Sequence, residues 1–173
     1  MRHTKKQWIL IRECIGFSIM NRIEQVREKV DELLLNMSDS QMRKEAYVHI
    51  YGVSQACGLL ALKRDENVEL AIVAGMLHDI YLYTKMDPIQ HANRGAEMSR
   101  SILNSLEVFN EEEIDAICTA INHHSDKSIK HGDLDEILKD ADVMQHALYN
   151  PLFKVKQQEQ IRFASLKEEL CLE

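Results

Sequence analysis

The stretch VELAIVAGMLHD, residues 68–79, decides the fold of this chain. Its first ten residues are almost wholly apolar and show no alternation of period two, so the segment should be buried on every side. Its valine and isoleucine content also suits a buried strand, but its length and its helical neighbours favour a helix, capped by Asn67. The run closes on His78 and Asp79. A neutral imidazole beside a carboxylate, at the end of a deeply buried segment, is costly unless something compensates both groups. A divalent metal does so for the pair at once. Further donors stand along the chain at His49, His91, His123 or His124, and Asp142.

Outward from this segment the periodicity stays helical. Ile23, Val26, Val30, Leu33, Leu34 and Met37 make a stripe over residues 22–37. Asp39 and Ser40 offer a cap to the next helix, whose inward face reads Met42, Ala46, His49, Val53, Cys57 and Leu60. Asp87 as N-cap and Pro88 as the first helical residue predict another start, with His91 in the first turn. Gly95 follows one turn on, where a missing side chain admits close approach. Asn110 to Glu113 resembles a capping box. The stripe Ile114, Ile117 and Ile121 extends to His124, while His123 sits about 100° away. A polar loop over residues 127–132 leads to a helix capped by Asp133, with Asp142 beside its inward stripe. Asn150-Pro151 breaks the chain before a last helix near residues 157–171. The expectation is one all-α domain, a bundle of six or seven helices spanning residues 20–173. Residues 1–19 are expected to be peripheral, with Met20 an alternative start.

Composition narrows the function classes. The 173 residues suit one domain, and a net charge of −7 argues against a nucleic-acid polymer as partner. It leaves room for a small phosphorylated substrate, because a bound metal brings local positive charge. Cys14, Cys57, Cys118 and Cys171 are spread without a C-x-x-C and read as reduced thiols of a cytoplasmic protein. Lys5-Lys6 followed by WILI faintly resembles a signal peptide, but Arg12-Glu13 interrupts it and no small-residue cleavage site follows. No run reaches the ~18 apolar residues that a membrane span needs. Nothing in the sequence speaks to oligomeric state.

Taken singly, each donor has a plain explanation, since an inward histidine is more often a hydrogen-bonded core residue than a ligand. Jointly, so many unpaired polar groups in one core would cost about 1–3 kcal/mol each. A bound metal is the simplest single account. There are no paired cysteines for a zinc finger, and no H-E-x-x-H, G-x-S-x-G or phosphate-binding G-x-x-x-x-G-K-[ST]. A histidine and carboxylate set suits manganese, iron, cobalt, nickel or magnesium, with zinc admitted. His3 and His131 read as solvated. His146, four residues after Asp142, either orients that carboxylate or is an ordinary buried histidine.

In order and spacing, His49, His78-Asp79 and Asp142 within KDADVMQH resemble the H…HD…D signature of the HD-domain superfamily of metal-dependent phosphohydrolases, over roughly residues 40–150. HANRGA (91–96) and AINHHS (120–125) are similar to segments of the bacterial HD hydrolases that cleave symmetrical dinucleoside tetraphosphates, with His124 at the ligand position. The G-Y-P signature of the cyclic-dinucleotide phosphodiesterases is absent, since Ser125-Asp126-Lys127 follows the double histidine. The resemblance implies hydrolysis of a phosphate ester or phosphoanhydride by metal-activated water. It implies one or two divalent ions: one on His49, His78, Asp79 and Asp142, and a second on His91 and His124, bridged by a catalytic Asp79. Lys127, Arg94, Lys85 and His123 are the candidate substrate contacts, although a solvated surface charge is the plainer reading of Lys127 and Arg94. Tyr81, Tyr83 and Lys85 are expected on a loop at the mouth of the site. Two rival expectations stand beside the hydrolase: a catalytically weak module that senses a nucleotide or partner, and a di-iron oxygenase.

Overall fold

Eight α-helices follow one another in the computed structural model, which describes residues 21–172: α1 (Arg22–Leu35), α2 (Ser40–Arg64), α3 (Val68–Leu77), α4 (Ile80–Lys85), α5 (His91–Leu106), α6 (Glu111–His123), α7 (Asp133–Tyr149) and α8 (Gln160–Glu169). A 3-10 turn, Gln157–Glu159, leads into α8. No strand occurs among the described residues, so the all-α expectation holds, with the six-residue α4 added to seven longer helices. The expectations for residues 1–19 and Met20 lie outside the described residues. Side chains start four of the helices: Asn21, Asp39, Asn67 and Asn110 each accept a free first-turn amide. At Asn110 the bond is reciprocal, because Glu113 takes the Asn110 amide in return.

α3 runs through the middle of the bundle, with Ala71, Val73, Ala74, Met76 and Leu77 fully buried. It lies along α2 at a separation set by Gly75, where a Cβ would stand only 2.7 Å from the Ser54 Cα. α7 packs on α2 and α3, and α6 packs on α3, α5 and α7. Gly95 on α5 gives the close approach expected of it: a Cβ there would meet the His78 carbonyl at 3.1 Å.

Four local expectations are corrected. The central helix does not continue to residue 79; it ends at Leu77, and Asp79 takes φ −113° and ψ 13°, outside the helical region. Successive helical residues diverge by about 100°, so this turn is what allows His78 and Asp79 to face one point. The chain then re-enters α4, and Tyr81, Tyr83 and Lys85 stand on a helix rather than a loop. Asp87 does not cap α5. It accepts the Ile89 amide at 2.9 Å in a local turn, and Gln90, left-handed at φ 53°, delays the helix to His91. At α7 the cap is Gly132, and Asp133 is the first helical residue.

α8 is held to α7 by charge. Arg64 bridges Asp140 at 2.6 Å and Glu169 at 2.7 Å, and Arg162 bridges Glu136 at 2.8 Å and Asp140 at 2.7 Å. Cys57, Cys118 and Cys171 are free thiols. No helix among the described residues is long and apolar enough to cross a membrane. The close seam between α2 and α3 gives a first prediction. Gly75→Ala should destabilise the fold by about 1–3 kcal/mol in urea unfolding, because the obstacle is backbone and not a flexible side chain; an unchanged midpoint would contradict this packing.

Candidate metal centre

The donors come from five places in the bundle: His49 from α2, His78 and Asp79 from the turn after α3, His91 from the start of α5, His124 just past α6, and Asp142 from α7. His49, His78, Asp79, His124 and Asp142 are buried, and His91 is half-buried. Each histidine uses Nδ1 in the same way. His78 Nδ1 donates to the Gly75 carbonyl at 2.8 Å, His124 Nδ1 to the Ile121 carbonyl at 2.6 Å and His91 Nδ1 to the Pro88 carbonyl at 3.2 Å. His49 Nδ1 donates to the amide oxygen of Gln145 at 2.8 Å. An oxygen acceptor needs the proton on Nδ1, so in the neutral ring the lone pair is left on Nε2. All four bare nitrogens turn towards the two carboxylates.

Asp79 divides them. Its Oδ2 lies 3.3 Å from His49 Nε2 and 3.6 Å from His78 Nε2; its Oδ1 lies 3.3 Å from His124 Nε2 and 3.8 Å from His91 Nε2. Asp142 Oδ1 joins the first set, 3.5 Å from His49 Nε2 and 4.0 Å from His78 Nε2. The two imidazoles of that set face each other, Nε2 to Nε2, at 3.1 Å. Among the described residues, Asp79 Oδ1 and Asp142 Oδ1 are buried without a hydrogen-bond donor. Lone pairs and orphaned anionic oxygens aimed at one another repel unless a cation lies among them, and a divalent ion fits this donor set. His49, His78 and Asp79 form one grouping close enough to hold an ion, and Asp79, His91 and His124 form another.

Both carboxylates are held in the anionic form. Burial alone would raise the pKa of both carboxylic acids. His78, His124 and His49 instead hold Asp79 well below the usual range, and Lys127 with His78, His146 and His49 does so for Asp142. Burial lowers the His78 pKa to about 4. It also acts to lower that of His49, but Asp79 and Asp142 outweigh it and push His49 above its ordinary 6.5.

The four candidate substrate contacts do not join the cluster as free groups. The Lys127 ammonium sits on Asp142 Oδ2 and the His124 carbonyl, so it partners a donor and leaves only Oδ1 of Asp142 open. Arg94 is engaged at the surface by the Tyr81 hydroxyl at 2.7 Å and Asp87 at 3.2 Å. Lys85 is exposed at the end of α4. His123 turns away from the centre, with Nδ1 on Asp135 at 2.5 Å and its ring stacked on His131. That His123, His131 and Asp135 group is close-knit, but Lys139 donates to His131 Nδ1 at 2.6 Å. The proton of His131 is therefore on Nε2, which suits a hydrogen-bonded brace and not a ligand.

Two residues that position the centre escaped the sequence reading. Gln145, which orients His49, stands three residues after Asp142 on α7, and that spacing was the available signal. Glu159, which holds His146, is separated from α7 by the break at Asn150-Pro151, and nothing local marks it.

A family model for the HD domain matches residues 46–147, more than half of the chain and all six donors. No curated protein and no solved structure matches the chain.

A proton and a metal compete for His49. Because its pKa is raised above 6.5, uptake of Mn²⁺ should displace a proton near neutral pH, and affinity should fall as pH drops through that range. His78, lowered to about 4, would not compete there. Calorimetric titration in buffers of differing ionisation enthalpy reads the proton count; uptake with no proton released and no pH dependence would contradict this assignment.

Proposed function

The chain belongs to the HD-domain family, a metal-dependent phosphohydrolase superfamily, and we propose that it hydrolyses a phosphate ester or phosphoanhydride of a small, nucleotide-like substrate. The observation that carries this reading is the division of Asp79, one oxygen among His49, His78 and Asp142 and the other between His91 and His124. We assign one divalent ion to each set, with Asp79 shared between them. Ions held by these residues would supply activation of a water for attack on phosphorus and would neutralise charge on the phosphate oxygens.

The rest is the work of the side chains. The Nδ1 bonds fix four imidazole planes before any ion or substrate arrives, so little reorganisation is left to the loaded state. Lys127 keeps Asp142 to a single free oxygen. Beside His49 opens a cavity of about 450 Å³, walled by Tyr83, Phe153 and Val155. Its size and its mix of rings and polar groups match a small-molecule site. Glu45, Lys154, Lys156 and Glu159 also line it; Lys156 is paired with Glu159 at 3.6 Å, and Lys154 offers an ammonium for a phosphate. That combination supports a substrate with a flat organic part and a phosphate. The HANRGA and AINHHS segments make dinucleoside polyphosphates the first compounds to try.

Loaded with Mn²⁺ or Fe²⁺, the protein should turn over p-nitrophenyl phosphoesters and a panel of nucleotides, and Asp79→Ala should bring kcat/KM to background with an unchanged circular dichroism spectrum. Wild-type turnover in that variant would overturn the mechanism. His91→Ala and His124→Ala should each lower bound metal from about two equivalents to about one by elemental analysis. If metal content stays the same in both, the second ion is lost from the scheme and the first remains.

A further inference from the structure

The metal centre has one more donor aimed at it. We propose that His146 Nε2 ligates the ion on the His49 and Asp142 side, and that Glu159 is the carboxylate that fixes its ring; this rests on the metal-centre reading above. His146 lies four residues beyond Asp142 on α7, so the two share a face. Its Nδ1 is 3.2 Å from Oε1 of Glu159, a carboxylate only 3% exposed. The carboxylate accepts, so Nδ1 carries the proton and the lone pair falls on Nε2. That nitrogen stands 3.5 Å from Asp142 Oδ1, an oxygen without a hydrogen-bond donor among the described residues. Two acceptors face each other across a gap that a cation would fill. His49, Asp142 and His146 each bring a ligand atom within 4.8 Å of the others, and the His49 and His146 rings lie nearly parallel at 5.2 Å.

The arrangement repeats that of the other four histidines with one difference. They lean on carbonyl or amide oxygens, whereas His146 leans on a carboxylate, which strengthens the ring as a ligand. It also gives a reason for burying Glu159, which is otherwise paired with Lys156 at 3.6 Å. Glu159 ends the 3-10 turn Gln157–Glu159. Ligation by His146 therefore ties residues 150–160, which close one side of the cavity, to the ion. The competing occupant of the gap is a proton, making His146 an imidazolium between two carboxylates.

Titration of the metal-free proteins with Co²⁺, followed by its visible absorption band, separates these. Glu159→Gln should weaken Co²⁺ binding about 10–100-fold, and His146→Gln at least as much. The band should shift in position and intensity in His146→Gln as a nitrogen donor is lost. Hydrogen exchange across residues 150–160 should slow on loading in the wild type and not in His146→Gln. Melting curves of the metal-free variants report folding separately, and Glu159→Gln keeps the shape of the buried side chain if His146→Gln folds poorly. Binding and spectra equal to wild type in both variants overturn the inference and leave the metal centre standing. Weaker binding with an unchanged cobalt band also overturns it, since that is the signature of a merely structural histidine. A wild type that takes up no Co²⁺ overturns both.

Discussion

Two carboxylates are carried into the middle of the bundle, and Lys127 returns only one of their charges. Asp79 and Asp142 are each nine-tenths buried, both ionise far below their ordinary range, and the imidazoles around them turn bare nitrogens inward. An isolated buried carboxylate costs several kcal/mol even after relaxation, so this cluster makes sense only with positive charge at its centre. The surrounding structure serves that requirement. The turn after α3 swings Asp79 to the side of His78; Gly75 lets α3 settle against the helix that carries His49; Gly95 lets α5, which starts at His91, approach the His78 carbonyl.

Much of this was legible along the chain, for a definite reason. Helical period and burial are local properties, so apolar stripes placed His49 and His124 on core faces and set His123 aside. Capping residues marked where α2, α3 and α6 begin. What escaped depends on contacts between distant residues. Nothing in the apolar run announces that it must break at Asp79, because the cause is a carboxylate shared by histidines from three other elements. Asp87 carried a cap-like sequence but spent its carboxylate on a tighter local turn. Lys127, three residues past His124, reads as a solvated charge or a substrate contact, and only the fold shows it lying on Asp142, fifteen residues away.

The loop over residues 126–132 shows how a segment without donors still shapes the centre. It joins the end of α6, where His124 stands, to α7, which carries Asp142, so any slack in it would let the two drift apart. It is held at three points. Lys127 spans from the His124 carbonyl to Asp142; Arg162 on α8 takes the Lys127 carbonyl at 3.1 Å; and Lys139, fully buried, places its ammonium on the Ile129 carbonyl, His131 Nδ1 and Glu136. Three acceptors for three protons leave that buried charge satisfied, which is the condition for tolerating it. Burial by itself would raise the Glu136 pKa, yet Arg162, the His131 amide and Lys139 bring it down to about 2. It therefore stays anionic through the whole range in which the histidines can be neutral. The Glu136 part of the brace thus outlasts the centre: as pH falls, His49 is lost as a donor well before Glu136 lets go of Arg162 and Lys139.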